Sequence, residues 1–126
     1  MISAVIYAKE VERLAKFYES VLELWREDKR DDFIVLKRGA VELVLVQARP
    51  LPANAVPTGT PQKPREATSL KLSFDLPSLE KARAAIDRHG GQLNPADKAW
   101  DWRGFLHLDG VDPEGNVFQV KERIAS

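Results

Sequence analysis

At 126 residues with 44% apolar side chains, the chain is long enough to bury a core as one compact domain, or as two half-domains sharing one, without covalent staples. It contains no cysteine, which excludes disulfides, zinc-thiolate clusters and thiol nucleophiles and is compatible with a reducing cytosol. Nineteen basic residues balance nineteen acidic ones, and Lys29-Arg30 is neutralised at once by Asp31-Asp32, so no basic stripe is available to phosphate backbones and nucleic acid is not expected as a partner.

In chain order, the apolar opening from Ile2 to Ala8 reads as a strand, and Val11, Leu14, Phe17, Tyr18, Val21 and Leu22 follow at helical spacing. No basic segment with an apolar stretch and a cleavage site opens the chain, and no apolar run approaches the ~20 residues needed to cross a bilayer, so the expected location is the cytoplasm, with no membrane partner. Phe33 to Leu36 and Val41 to Val46 read as a hairpin. Successive strand side chains point to opposite faces, which puts Ala4, Ile6 and Ala8 beneath the helix and leaves Ser3, Val5 and Tyr7 on the open face. Glu42 interrupts an otherwise apolar strand, and an ionised carboxylate buried without a partner costs several kcal/mol. Either it lies at a rim in water or beside a lysine, or it points into a cavity between open faces, where Lys71 is a natural partner.

Residues 48–68 hold five of the eight prolines, with Gly59 and three threonines, and read as a linker that is either a plain tether or a lid. The plan then repeats. Leu70, Leu72 and Phe74 alternate with Ser69, Lys71 and Ser73 as in a half-buried strand, with the apolar set expected beneath a helix marked by Leu79, Ala82, Ala85 and Ile86. His89-Gly90-Gly91 stops that helix, because glycine takes a left-handed C-terminal position without a Cβ clash. Phe105 to Asp109 and Asn116 to Lys121 form a hairpin around Asp112-Pro113-Glu114-Gly115; Phe118 and Val120 belong beneath the helix, and Val117, Gln119 and Lys121 on the other face. The chain therefore reads as a duplicated βαβββ domain spanning 1–126: module one at 1–47, a Pro-rich linker at 48–68 and module two at 69–122.

Of the two histidines, His89 closes a helix and suits a cap. His107 sits mid-strand, opposite in direction to Leu106 and Leu108, either facing the cavity as an acid/base or hydrogen-bonding group or partly exposed. Trp100 and Trp102 form either an aromatic wall for a ligand or packing. No phosphate-cradling glycine loop or nucleophile elbow occurs.

Phe17-Tyr18, Val21-Leu22 and Leu24 resemble the "FY..vLgL" helix end, and Asp112-Pro113-Glu114-Gly115-Asn116 the "DPeGN" hairpin, of the glyoxalase/bleomycin resistance/dioxygenase superfamily, the vicinal oxygen chelate proteins. The resemblance covers nearly the whole chain. It implies an α+β fold in which two βαβββ modules make a U-shaped mixed sheet around a cavity, with helices on the outer face, in a homodimer. In metal-using members, the first and last strands of each module each supply one ligand to a divalent metal. The matching positions here are Ser3, Glu42, Ser69 and Gln119. Serine hydroxyls are poor ligands for Zn, Ni or Fe, so no metal or other cofactor is expected beyond weak binding of a divalent ion. The expected function is to bind or sequester a small organic molecule in a cavity lined by Tyr7, Glu42, Lys71, Trp102, His107 and Gln119. The alternative is a lyase, isomerase or dioxygenase of the same superfamily, with an atypical metal or with Glu42 and His107 as catalytic base and acid.

Overall fold

The computed structural model describes residues 2–48 and 70–125, which belong to two compact units. The tether or lid expected at 48–68 and the candidate position Ser69 lie outside the described residues, apart from Ala48. The fold is α+β: each unit has one long helix and a mixed sheet.

The first unit runs β1 (Ile2–Ala8), α1 (Val11–Leu22), β2 (Trp25–Lys29), β3 (Phe33–Arg38) and β4 (Val41–Gln47). Its sheet has the order β1-β4-β3-β2, with β1 parallel to β4 and the other pairs antiparallel. Helical spacing brings Leu14, Phe17, Tyr18 and Val21 to one face of α1, which packs on β1, β3 and β4; Ile34, Leu36, Leu43 and Leu45 are buried with it. Burying each such side chain stabilises by about 1.5–3 kcal/mol, so the helix is held mainly by its apolar stripe. A second tie is ionic. Arg26 on β2 donates to both carboxylate oxygens of Glu12, at 2.7 and 3.0 Å, and to Glu19 at 2.6 Å, fastening the charged edge strand to the polar flank of α1. Glu23 ends α1 in the left-handed region, with φ 53°, and the N–H groups of Glu23 and Leu24 both return to the Glu19 carbonyl.

The second unit runs β5 (Leu72–Asp75), α2 (Leu79–Arg88), β6 (Gln92–Leu93), a short 3-10 turn (Ala96–Lys98), β7 (Trp100–Trp102), β8 (Phe105–Val111) and β9 (Val117–Arg123). Its sheet has the order β5-β9-β8-β6, with β7 also on β8; β5 is parallel to β9 and the remaining pairs are antiparallel. Ser78 Oγ accepts from Lys81 N at the start of α2, and Glu122 of β9 accepts from Leu79 N at 2.7 Å, so two side chains satisfy otherwise orphaned donors. The helix stops at His89 as expected, with Gly90 at φ 85°. Asp112, fully buried, accepts from the N–H groups of Glu114 and Asn116 and from the Asn116 amide, which shapes the β8–β9 reversal around Gly115 at φ 88°.

Several expectations need correction. Leu70 does not lie beneath the helix: it is 71% exposed and precedes β5, because pairing with β9 begins at Leu72–Phe118 and β9 itself starts at Val117, leaving no partner strand at the level of Leu70. Strands β2, β6 and β7 are additional to the predicted elements. Among the described residues, no helix is long and apolar enough to cross a membrane.

Candidate functional site

Each sheet has one face beneath its helix and one open face, and the registers fix which residues share the latter. In the first unit, Ser3, Val5 and Tyr7 of β1 lie beside Glu42, Val44 and Val46 of β4, with Phe33, Val35 and Lys37 of β3 beyond. Tyr7 is 67% exposed and Val5 55%. Glu42 is half-buried in this apolar surface. Its Oε1 accepts from Ser3 Oγ at 2.6 Å across a directly registered pair, while the neighbouring Lys37 ammonium turns to Glu27 at 3.4 Å. A short hydroxyl-to-carboxylate bond is the answer to the carboxylate in an apolar strand.

In the second unit, the open face carries Lys71 and Ser73 from the β5 side, Gln119, Lys121 and Arg123 from β9, Phe105, His107 and Asp109 from β8, and Trp100 and Trp102 from β7. A chain of hydrogen bonds joins them. Lys71 Nζ pairs with Asp109 Oδ2 at 3.1 Å, Gln119 Nε2 donates to Asp109 Oδ1 at 3.4 Å, and Gln119 Oε1 receives Ser73 Oγ at 2.7 Å and faces His107 Nδ1 at 3.0 Å. The Asp109 carboxylate sets the amide: with oxygen and nitrogen exchanged, the Gln119 oxygen would confront Asp109. His107 is 3% exposed, its Nε2 is 3.0 Å from the Trp102 carbonyl, and Trp100 stacks on its ring at 5.4 Å and 11°. Both ring nitrogens face oxygen acceptors. A neutral imidazole can make only one of these bonds, and in this arrangement both ring nitrogens are engaged within the network.

The structure therefore joins four of the sequence-predicted site residues, Lys71, Trp102, His107 and Gln119, in one network, and places Tyr7 and Glu42 on the open face of the first unit. The expectation pairs Lys71 with Glu42; the carboxylate that Lys71 takes is Asp109. Ser73 and Asp109 are not among the site residues expected from the sequence, and Trp100 enters there only as one half of an aromatic wall or of packing. Strand alternation carried a signal for two of them: Asp109 is two residues from His107, and Ser73 is two from Lys71.

The first and last strands also supply the positions at which metal-using proteins of this fold hold their ion, and the donor chemistry here fits such an ion poorly. Ser3 with Glu42 and Ser73 with Gln119 bring two hydroxyls, one neutral amide and a single carboxylate, and hydroxyl and amide oxygens are poor ligands for Zn, Ni or Fe. The Lys71 ammonium, tied to the Asp109 that orients Gln119, adds a competing cation. Among the described residues no group of three or more His, Cys, Asp or Glu side chains is arranged to hold a metal ion. A surface hollow of about 520 Å³ at the start of α1, lined by Lys9, Glu12, Arg13, Lys16 and Gln47, contains none of the candidate site residues Tyr7, Glu42, Lys71, Trp102, His107 and Gln119.

Comparison with curated proteins gives no match. Among solved structures, the chain is similar to a glyoxalase/bleomycin resistance protein/dioxygenase family enzyme from Burkholderia phytofirmans PsJN, at 14% identity and a TM-score of 0.70 over 97% of both chains. It is also similar to the fosfomycin resistance protein FosX from Mesorhizobium loti, at 10% identity and TM-score 0.69 over 98% of this chain and 92% of the other. A third is the lactoylglutathione lyase from Agrobacterium tumefaciens, at 18% identity and TM-score 0.60 over 97% and 92%. At these identities the likeness shows the fold alone. The sequence family of the glyoxalase-like domain matches residues 3–121, nearly the whole chain, and the chain belongs to that family.

Proposed function

We propose that the protein is a small-molecule-binding member of the glyoxalase-like family that works without a transition metal, holding a small organic ligand against an open sheet face. The observation that carries this reading is the network Lys71–Asp109–Gln119–His107 under Trp100 and Trp102: a few oriented polar groups beside exposed aromatic surface is the composition of a small-ligand site. Metal independence is supported by the donor set of the first- and last-strand pairs, two hydroxyls, one amide and a single carboxylate, which suits Zn, Ni or Fe poorly. The exposed apolar side chains of Val5 and Tyr7 support the expectation of a homodimer, which light scattering measures directly. The cytoplasm remains the proposed location, in keeping with the absence of cysteine.

A second reading, an enzyme of the lyase, isomerase or dioxygenase type, is favoured by one feature. Glu42 is half-buried among valines and its second carboxylate oxygen has no partner among the described residues, as a general base requires. Proton exchange at the methyl group of pyruvate in D₂O, followed by NMR for wild type and Glu42→Gln, separates the two. Binding alone predicts the same background rate for both proteins. A rate that depends on Glu42 would replace the binding reading with the enzymatic one.

A further inference from the structure

One end of the second unit's open face combines cations and rings in a way that the hydrogen-bond network does not use. Arg123 lies 4.7 Å and Lys121 5.1 Å from the centre of the Phe105 ring, and Arg103, on the β7–β8 turn, lies 5.4 Å from the centre of the Trp102 ring. These side chains converge because Phe105 is registered opposite both Arg123 and Trp102, while Lys121 is opposite His107 in the next row. No carboxylate among the described residues forms an ion pair with Arg103, Lys121 or Arg123. Asp75 is registered beside Lys121 without pairing to it, Asp109 is taken by Lys71, and Asp101 and Glu122 belong to the opposite face, where Glu122 caps α2.

Like charges gathered on one aromatic floor repel one another, and the rings offset only part of that cost. An aromatic face beneath a guanidinium fixes its plane and leaves its N–H edge directed outward, the edge that engages a carboxylate. Beside these donors, Trp102 is 58% exposed and Trp100 39%, so flat apolar surface continues from the cations. With no net charge on the whole chain, a long polyanion has little to gain, whereas a single carboxylate has three cations to meet.

We propose that this corner anchors the carboxylate of a small aromatic acid, with Arg123, Lys121 and Arg103 holding the anionic group and the exposed indoles of Trp102 and Trp100 receiving the ring. The proposal rests on the reading that the open face of the second unit is the ligand surface.

The test is a titration of the full chain with benzoate, its neutral isostere benzamide and the cation benzylammonium, following the indole N–H resonances of Trp100 and Trp102 by NMR. Benzoate is expected to shift both in a saturable way, at least about tenfold more tightly than benzamide or benzylammonium, the ratio one charge-assisted hydrogen bond supplies. Affinity should fall as salt shortens the screening length. Arg123→Gln and Lys121→Gln should each weaken benzoate about tenfold and leave benzamide unchanged, while Arg88→Gln on α2 changes neither. Equal binding of benzoate and benzamide, or benzoate binding indifferent to Arg123→Gln and Lys121→Gln, would overturn the anion assignment and leave the ligand surface standing. Failure of all three probes to perturb either indole would overturn both.

Discussion

Ser3 Oγ lies 2.6 Å from Glu42 Oε1, on positions of β1 and β4 that face each other directly, and the second unit repeats the relationship with Ser73 and Gln119 at 2.7 Å on β5 and β9. A first-strand hydroxyl thus donates to a last-strand carbonyl-type oxygen in both units, carboxylate in one and amide in the other. The second unit shows that an amide serves this geometry. Glu42→Gln is therefore expected to retain the strand pairing and to change stability by less than about 0.5 kcal/mol in chemical denaturation. A loss above about 2 kcal/mol would mean that the charge itself organises the sheet.

Gln119 is the hub of the second unit, bonded to Ser73, His107 and Asp109. Gln119→Leu removes the amide that meets Ser73 Oγ, Asp109 Oδ1 and the buried His107 Nδ1, and should destabilise by about 1–3 kcal/mol. Near-ultraviolet circular dichroism should change as well, because Trp100 and Trp102 lean on the His107 ring that Gln119 holds. An unaltered aromatic spectrum at unaltered stability would show that the network does not set the indole positions.

The hydrogen bond from Arg26, reinforced by its charge, lowers the Glu12 carboxyl from 4.5 to about 2. A carboxyl whose folded pKa lies below its unfolded one contributes stability in full above the unfolded value and loses it as pH falls through the folded value. Wild-type stability should therefore decline between about pH 4.5 and 2, with a modest amplitude because Glu12 is nearly half exposed and screened. Urea midpoints measured against pH should fall less steeply over this window in Arg26→Gln, which has already lost the interaction.

Glu23 adopts φ 53°, a conformation that carries a Cβ penalty for every residue except glycine, and its side chain offsets part of that by bonding Arg38 at 3.0 Å. Glu23→Gly removes the strain at the end of α1 and should stabilise by about 0.5 kcal/mol, with a ceiling near 1 kcal/mol. Thermal denaturation of the pair provides the comparison. Destabilisation would mean that the Arg38 bond outweighs the backbone term.

Elements with a clear apolar period were legible: Leu14, Phe17 and Val21 announce α1, and Leu43 with Leu45 announces β4. Strand β2, Trp-Arg-Glu-Asp-Lys, was not, because it is held by register with β3 and by the reach of Arg26 to α1 rather than by burial. Strand β7 is exposed throughout and exists as a partner of β8, so no half-buried alternation announces it as a strand. Alternation placed Gln119 and His107 away from the helices, but their direct contact depends on rotamers and on Asp109, which periodicity does not encode. The serine registered opposite Gln119 is Ser73, a pairing set by tertiary register that a motif does not encode, while Ser69, the position the superfamily resemblance points to, lies outside the described residues.

The most direct test of the account is metal analysis of the full chain, purified without chelators from cells supplied with zinc, nickel and iron, followed by calorimetric titration of each ion into wild type and Glu42→Gln. The account predicts far less than one equivalent of any of these metals in the purified protein and only weak binding on titration, unchanged by Glu42→Gln. One tightly held equivalent per chain, lost in Glu42→Gln, would contradict it.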